Sequence, residues 1–566
     1  MLKRKAIYIV FVVGVIGLYL FATAQRPSDS LYGYLKLSSN VAFNINARYV
    51  DEVNSKDLIY AGIRGMIDIL DPFSEFLERK QYDRLQESTT GKYSGLGMTI
   101  MQKDGVIMVV APMEGTPAYR MGLRAGDKII RIDNKPTKGM TTEDASSLMR
   151  GPAGTRVTLS IEREGVDQPL EYTIERAVIE IKTVPFYSTF NSHGTKLGYV
   201  RLARFGEEAQ TELEVAFSEI LKDNVEGIIF DLRSNGGGLL DQAVKVAGYF
   251  LPKGSEVTST RGRSEDQNRT LYSLDEPKIP TSIPLVILVN EMSASASEIV
   301  AGAVQDWDRG IILGNTTFGK GLVQQIYPLS DEVALKLTTA KWYIPSGRCI
   351  QKDVRSSRHP EKMEEDSDEA AADSAESPDS TKRELFHTRG GRIVYGGGGV
   401  VPDLTVDDEK LNALELNLER LSMFFDFSVR YSASHASLPE DFEVTPQMIE
   451  EFKAFLKEKK FTYKSELELD LERLEKTAEK SGKSSLYADE IALLRNEIKS
   501  DKERQFDESL DYIKRSIKRD ILTRLYGEKA VYRQIVLKTD PYMKRAVEIL
   551  KSPREYSAIL GAGGAR

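Results

Sequence analysis

The sequence predicts a multidomain α+β protein: an N-terminal helical segment, a small β-rich domain, an α/β core and a C-terminal helical region. Three observations predict it. Between Tyr93 and Arg176, short alternating runs ("VIMVVAP", "KIIRID", "RVTLSIER") are separated by Gly and Pro turns, the pattern of half-buried strands. From 177 to about 350, "GIIFDL" precedes "LLDQAVKVAGYFL" and "PLVILVN" precedes "SASASEIVAGAVQDW"; buried strands each followed by a helix build an α/β core. From about 408 the chain is charged and helical, with strings such as "ELELDLERLEKTAEK".

Each segment has its own signal. Lys3, Arg4 and Lys5 precede the uncharged run Ala6 to Ala24, whose length borders on both a signal peptide and a membrane anchor. "ATA" at 22–24 offers a cleavage site, so residues 1–24 stand as either. In both cases the basic flank stays cytoplasmic and the rest is exported, to the periplasm or to the periplasmic face of the inner membrane. Residues 28–90 form an N-terminal helical domain, with helical spacing in "LIYAGIRGMIDIL" and a stop at Asp71-Pro72. The small β domain covers 91–176, with one helical piece near 142–150. The core covers 177–352 and 385–408. Between its parts, 353–384 is acidic, rich in Ser and Ala and poor in large apolar residues; it buries too little to offset its ordering entropy and is expected to be a disordered insertion. In the helical region 409–566 the charges read by default as a solvated face, with packing on the core or on a partner subunit as the functional option. The helical ends suit a homo-oligomer.

Composition removes several function classes. A net charge of −8 gives no support for nucleic-acid binding. Cys349 is the sole cysteine, so neither an intrachain disulfide nor a thiolate metal cluster can be built. "GNTTFGKG" at 314–321 imitates a phosphate-binding loop, yet Gly321 stands where Ser or Thr would ligate Mg²⁺, and "LVQQIYPL" after it reads as a strand rather than a helix. Lys320 therefore holds no nucleotide. Alternation along a strand would place Lys320 and Gln324 on one face.

"SASASEIVAGA" at 293–303 follows the buried strand "PLVILV" and opens a helix. Ser295 and Glu298 fit an S-x-x-E capping box, which needs no chemistry to explain it. Small residues at such a turn also leave a serine hydroxyl unobstructed, with the Ala296 amide pointing into the same space as an oxyanion donor. A second donor can come from the glycine turn in "DLRSNGGG". A serine nucleophile needs a base, and none of the four histidines lies in a catalytic context. A desolvated lysine can serve, because burial disfavours the ammonium and lowers its pKa by up to about 3–5. Serine–lysine pairs are a known variant of the triad.

With these residues the chain resembles the carboxyl-terminal processing serine peptidases, related in fold to the Clp protease and crotonase group. The resemblance runs from about 35 to 410, through "YVDEV", "LDPFSEFL", "GKYSGLGMTI", "GLRAGDKIIRID", "DLRSNGGG", "SASASEI", "GNTTFGKGLVQQ", "PSGRCIQ" and "GVVPD". It implies Ser295 as nucleophile, Lys320 as base and Gln324 as the lysine's orienting partner, with the amides of Ala296 and Gly237 as oxyanion hole. It also implies that 91–176 is a PDZ domain and that 177–352 with 385–408 is a Clp/crotonase-like protease core. "YSGLGM" then supplies a nest of amides around Leu96, Gly97 and Met98 for a peptide carboxylate, while the peptide adds as a strand. The implied activity is a serine endopeptidase that grips free apolar C-termini and cleaves nearby, with no cofactor or metal. A tail-binding adaptor without chemistry is the alternative reading. An acyl-thioester enzyme on the same fold would need a cytoplasmic coenzyme, which the export signal opposes.

Overall fold

The computed structural model describes residues 30–352, 383–407, 409–435 and 438–561. The apolar run at 6–24 and all but the end of the acidic segment 353–384 lie outside them, so the signal or anchor and the disordered insertion concern residues not described. Among the described residues no helix is long and apolar enough to cross a membrane. The chain divides into two units, one combining the stretch up to Tyr82 with Gln324–Thr339 and the other holding most of the remainder.

In the first unit, α1 (Leu31–Arg48) and α2 (Ser55–Asp68) are capped by Ser30 and Asn54, whose side chains accept from Gly33 N and Lys56 N. Their apolar faces are open: Leu31, Tyr32 and Phe43 are each at least 70% exposed. After α2, Asp71 organises the "DPFS" turn by accepting from Phe73 N, Ser74 N and the Ser74 hydroxyl. The turn leads into β1 (Glu75–Leu77), antiparallel to the first half of β16 (Ala334–Tyr343).

Among the described residues the second unit comprises a β-rich domain, an α/β core and a helical tail. A two-stranded ladder of β2 (Lys92–Gly95) and β8 (Ala177–Glu180) brackets the β-rich domain. Its sheet runs β3 (Met98–Lys103), β4 (Val106–Pro112), β5 (Lys128–Ile132), β6 (Arg156–Glu162) and β7 (Leu170–Glu175) in spatial order. With α3 (Thr142–Met149) this sheet encloses Ile107, Val109, Ile129, Leu159 and Ile161.

The α/β core is a six-stranded sheet in the order β9 (Phe186–Ser192), β10 (Thr195–Arg201), β11 (Gly227–Asp231), β13 (Leu285–Val289), β14 (Ile311–Gly314) and β17 (Leu404–Thr405). Only the β9–β10 pair is antiparallel. Strands β11 and β13 are buried along their whole length, because both faces of a parallel sheet are covered. Alternate residues divide between those faces. Ile228, Phe230 and Ile287 join α4 (Ala209–Lys222), α5 (Leu240–Gly248) and α6 (Ala296–Asp306). Ile229, Val286 and Leu288 join α13 (Pro541–Lys551). Strand β12 (Glu256–Gly262) pairs with the second half of β16, and β15 (Leu322–Pro328) follows the "FGKG" turn.

The tail has an interior of its own. Helices α7 (Ala413–Arg420), α8 (Met423–Ser434), α9 (Pro446–Glu458) and α12 (Leu510–Tyr526) share a core in which Phe424, Phe427, Phe452, Phe455 and Ile517 are nearly inaccessible. The charged strings do lie outward on α10 (Glu466–Lys480) and α11 (Ala488–Glu508), which expose Leu467, Leu474 and Leu493 as well.

Candidate active site

Strands β11, β13 and β14 are parallel neighbours, so their C-terminal ends lie side by side along one edge of the sheet. The glycine turn with Gly237 leaves β11, the turn with Ser295 leaves β13, and the turn with Lys320 leaves β14. Topology alone thus gathers three distant sequence motifs at the edge where open α/β sheets bind ligands.

Ser295 is the N-cap of α6 and is half-buried. Its φ of 56° and ψ of −111° put a non-glycine residue in a region that costs roughly 1–3 kcal/mol. Such a strained strand-to-helix turn holds a nucleophile clear of its own backbone. The capping-box reading and the nucleophile reading meet here. Ser295 N donates to Glu298 Oε2 at 2.7 Å, and Glu298 N donates to the Ser295 carbonyl at 2.9 Å. At Ala296 the backbone N–H belongs to the first turn of α6, where helical amides have no intrahelical acceptor.

Glu298 does far more than cap. It is fully buried and reaches across to the lysine turn. Oε1 accepts from the Thr317 hydroxyl at 2.6 Å and Gly319 N at 2.7 Å, and Oε2 accepts from Lys320 N at 2.9 Å as well as from Ser295 N. One carboxylate oxygen therefore joins the backbones of Ser295 and Lys320. Burial pushes the Glu298 carboxyl up from its usual range, while the Thr317 hydroxyl and the three amides pull the other way. A further bond, Phe318 N to the Ser293 carbonyl at 3.0 Å, ties the same two turns together. Gly319, at φ 91°, has room for no side chain, because a Cβ would fall 3.0 Å from Gly399 N.

Lys320 is half-buried. The strand after it begins at Leu322, so Lys320 belongs to the turn, and strand alternation applies only from Leu322 onward. Gln324, within the first unit, donates from Nε2 to the Phe73 carbonyl at 2.7 Å, which fixes its amide against the "DPFS" turn.

The glycine turn is held by charge. Asp231, fully buried, accepts from Arg233 Nη2 at 2.7 Å, from Arg201 Nη1 at 3.2 Å and from the Tyr199 hydroxyl at 2.8 Å. Burial alone would raise its pKa, but Arg233 and Arg201 pull it down to about 2. Asn235 then accepts from Gly237 N at 2.9 Å through its side chain, so the Gly237 amide is engaged within its own turn. Gly237 nevertheless lies directly against the serine: at φ 99°, a Cβ there would stand 2.8 Å from Ser295 Cβ and 3.0 Å from Ala296 N. Sequence reasoning missed Glu298, Asp231, Arg233 and Asn235 as site residues. Asp231 and Arg233 lay within the quoted "DLRSNGGG", where charge beside glycine was the available signal.

The charge of Asp231 has a consequence for acid stability. Its folded pKa is lowered from 3.8 to about 2, so the stabilisation is present above the ordinary value and is lost as pH falls through 2. Relative to Asp231→Asn, the wild type is expected to lose about 2 kcal/mol between pH 4 and pH 2, read from urea midpoints of the core transition.

In the β-rich domain, Leu96 and Gly97 are buried and Met98 half-buried. The Leu96 carbonyl accepts from Ala118 N, and the Gly97 carbonyl accepts from Met113 N and Thr116 Oγ1, which pins the loop by its oxygens. Burial pushes the Tyr93 phenol's pKa up. The Arg150 guanidinium stacks on the Tyr93 ring, 4.9 Å from its centre. Among the described residues no His, Cys, Asp and Glu cluster has the arrangement of a metal site.

Fold and relatives together define a protease with a PDZ domain. A model described as Peptidase family S41 matches residues 196–356, one for a PDZ domain matches 108–163, and one for a probable PDZ-protease C-terminal helical domain matches 414–550. The carboxy-terminal-processing protease of Bartonella bacilliformis is 40% identical over 361 residues, covering 62% of this chain and 80% of its own. The carboxy-terminal processing protease CtpA of Bacillus subtilis is 32% identical over 362 residues, 62% of this chain and 75% of its own. Among solved structures, a photosystem II D1 C-terminal processing protease is 33% identical, covers 54% of this chain and 81% of its own, and gives a TM-score of 0.34. The chain belongs to the carboxy-terminal processing protease family.

Proposed function

We propose that this protein is an exported serine endopeptidase in which the PDZ domain captures a free apolar protein C-terminus and a Ser295–Lys320 pair cleaves the chain nearby. The observation that carries this reading is Glu298, which binds the Ser295 and Lys320 backbones through one buried oxygen. Neutral Lys320 takes the Ser295 proton as the hydroxyl attacks the scissile carbonyl, and Gln324 orients the lysine. The Ala296 amide and one amide of the glycine turn hold the oxyanion, typically worth about 3–4 kcal/mol per donor. If Gly237 is that donor, its N–H must leave Asn235. Lys320 then protonates the leaving amine, and water releases the acyl group from Ser295. Exposed Met292 and Phe318, on the serine and lysine turns, give apolar footing for an extended substrate.

Residues 1–24 direct export, as a cleaved signal or as an anchor to the inner membrane. The apolar surfaces of α1 and α2 and of α10 and α11 suit homo-oligomerisation through the helical ends. No cofactor is part of the mechanism.

The test compares an unstructured substrate ending in a free apolar carboxylate with the same substrate amidated. Cleavage sites and rates are read by mass spectrometry. The free form is expected to be cut at least tenfold faster at low substrate concentration; equal rates would remove tail capture from the mechanism. Activity is expected to rise toward alkaline pH as the Lys320 ammonium loses its proton, and a flat profile would remove Lys320 as base.

A further inference from the structure

The tail helix α13 begins at Asp540, and its first residues touch two of the three turns that meet at the sheet edge. Asp540 divides its carboxylate between two tasks. Oδ1 caps the helix by accepting from Tyr542 N at 2.8 Å and Met543 N at 3.2 Å. Oδ2 accepts from Arg233 Nη1 at 2.9 Å, and both side chains are under one-fifth exposed. The same guanidinium grips both oxygens of Asp231 through Nε and Nη2 and lies 4.7 Å from the centre of the Tyr542 ring. Tyr542 is itself buried, and its hydroxyl accepts from Asn315 Nδ2 at 3.1 Å. Arg233 stands in the glycine turn and Asn315 opens the turn that carries Lys320. Apolar contacts of Met543, Ala546, Ile549 and Leu550 with the underside of the sheet seat the helix.

We infer that Asp540 is a positioning residue for the protease chemistry: through Arg233 it sets the glycine turn, and through its neighbour Tyr542 the lysine turn. The tail helix thus clamps two catalytic turns from beneath the sheet. The inference rests on the Ser295–Lys320 reading given above. It separates two roles that a single carboxylate combines, since asparagine caps a helix about as well as aspartate but cannot meet the Arg233 charge.

The experiment uses the full-length chain with Asp540→Asn, Tyr542→Phe and, as a packing control away from α13, Phe452→Ala. Asp540→Asn is expected to lower kcat on an unstructured substrate at least tenfold with KM within twofold and little change in Tm. Tyr542→Phe is expected to lower kcat by a smaller factor. Phe452→Ala, in the separate core of the tail helices, is expected to lower Tm while leaving kcat of the folded enzyme unchanged. Hydrogen exchange reads the clamp without turnover: Asp540→Asn should speed exchange of amides in 233–238 at least fivefold. Unchanged exchange there, or a kcat within twofold of wild type, overturns the inference. A wild-type chain that cleaves nothing while the exchange effect is present would refute the peptidase reading and leave the clamp standing.

Discussion

Ser295→Ala is expected to reduce cleavage of an unstructured, apolar-tailed substrate by at least about 10⁴-fold, the scale on which removal of a serine nucleophile acts. Binding of a tail peptide to the PDZ domain should be untouched, because Leu96 and Gly97 are held by Ala118, Met113 and Thr116, and Met98 by pairing opposite Pro112, not by the serine turn. Lys320→Ala should cost a similar factor, and the double variant little more than either alone, since nucleophile and base act as one unit. Single-turnover assays with mass-spectrometric detection of the acyl-enzyme check all three. Retained turnover in Ser295→Ala would end the serine mechanism. Additive losses in the double variant would separate the two residues.

Glu298→Gln carries the second largest effect. The carboxylate accepts four hydrogen bonds and donates none. A glutamine amide keeps one accepting oxygen and turns its NH₂ toward amides that are themselves donors. Either the Thr317–Gly319 side or the Ser295–Lys320 side loses its acceptor. Each buried donor left unsatisfied costs about 1–3 kcal/mol. The expected result is a loss of two to three orders of magnitude in kcat, with binding of a tail peptide unchanged. Glu298→Asp, a methylene shorter, should also fail to reach both turns. A Glu298→Gln enzyme within fivefold of wild type would show that the two turns hold their geometry without this carboxylate.

Much of the architecture was legible because it is local. Period-two alternation around "VIMVVAP", buried runs such as "GIIFDL" and the strand–turn–helix at "SASASEIV" announce their elements within a dozen residues. The meeting of the Ser295 and Lys320 turns was reached through resemblance, and the parallel neighbours β13 and β14 now account for it. What the sequence hid is non-local. Glu298 was visible as a cap to Ser295, three residues away, but nothing near it indicates that Thr317, Gly319 and Lys320 converge on the same carboxylate. Alternation along a strand puts Gln324 on the face of Lys320 only where the strand includes the lysine, and this strand starts at Leu322. Nothing in "SNGGG" shows that the Asn235 side chain accepts from the Gly237 amide. The tail misled for a related reason. Charges on α10 and α11 dominate its composition, while the aromatic residues that build its interior, Phe424, Phe427, Phe452 and Phe455, come from other helices. Asp540 looks like any helix start until Arg233, some three hundred residues earlier, is found beside it.

The covering of the sheet's underside by α13 bears on when the enzyme becomes competent. Strands β10, β11, β13 and β14 are made hundreds of residues before Met543, Ile549 and Leu550, which cover Leu197, Ile229, Val286 and Leu313. Without that segment those side chains stay wet and Arg233 lacks one of its two carboxylates. Completion of the protease core thereby waits on a segment far downstream of the strands it covers.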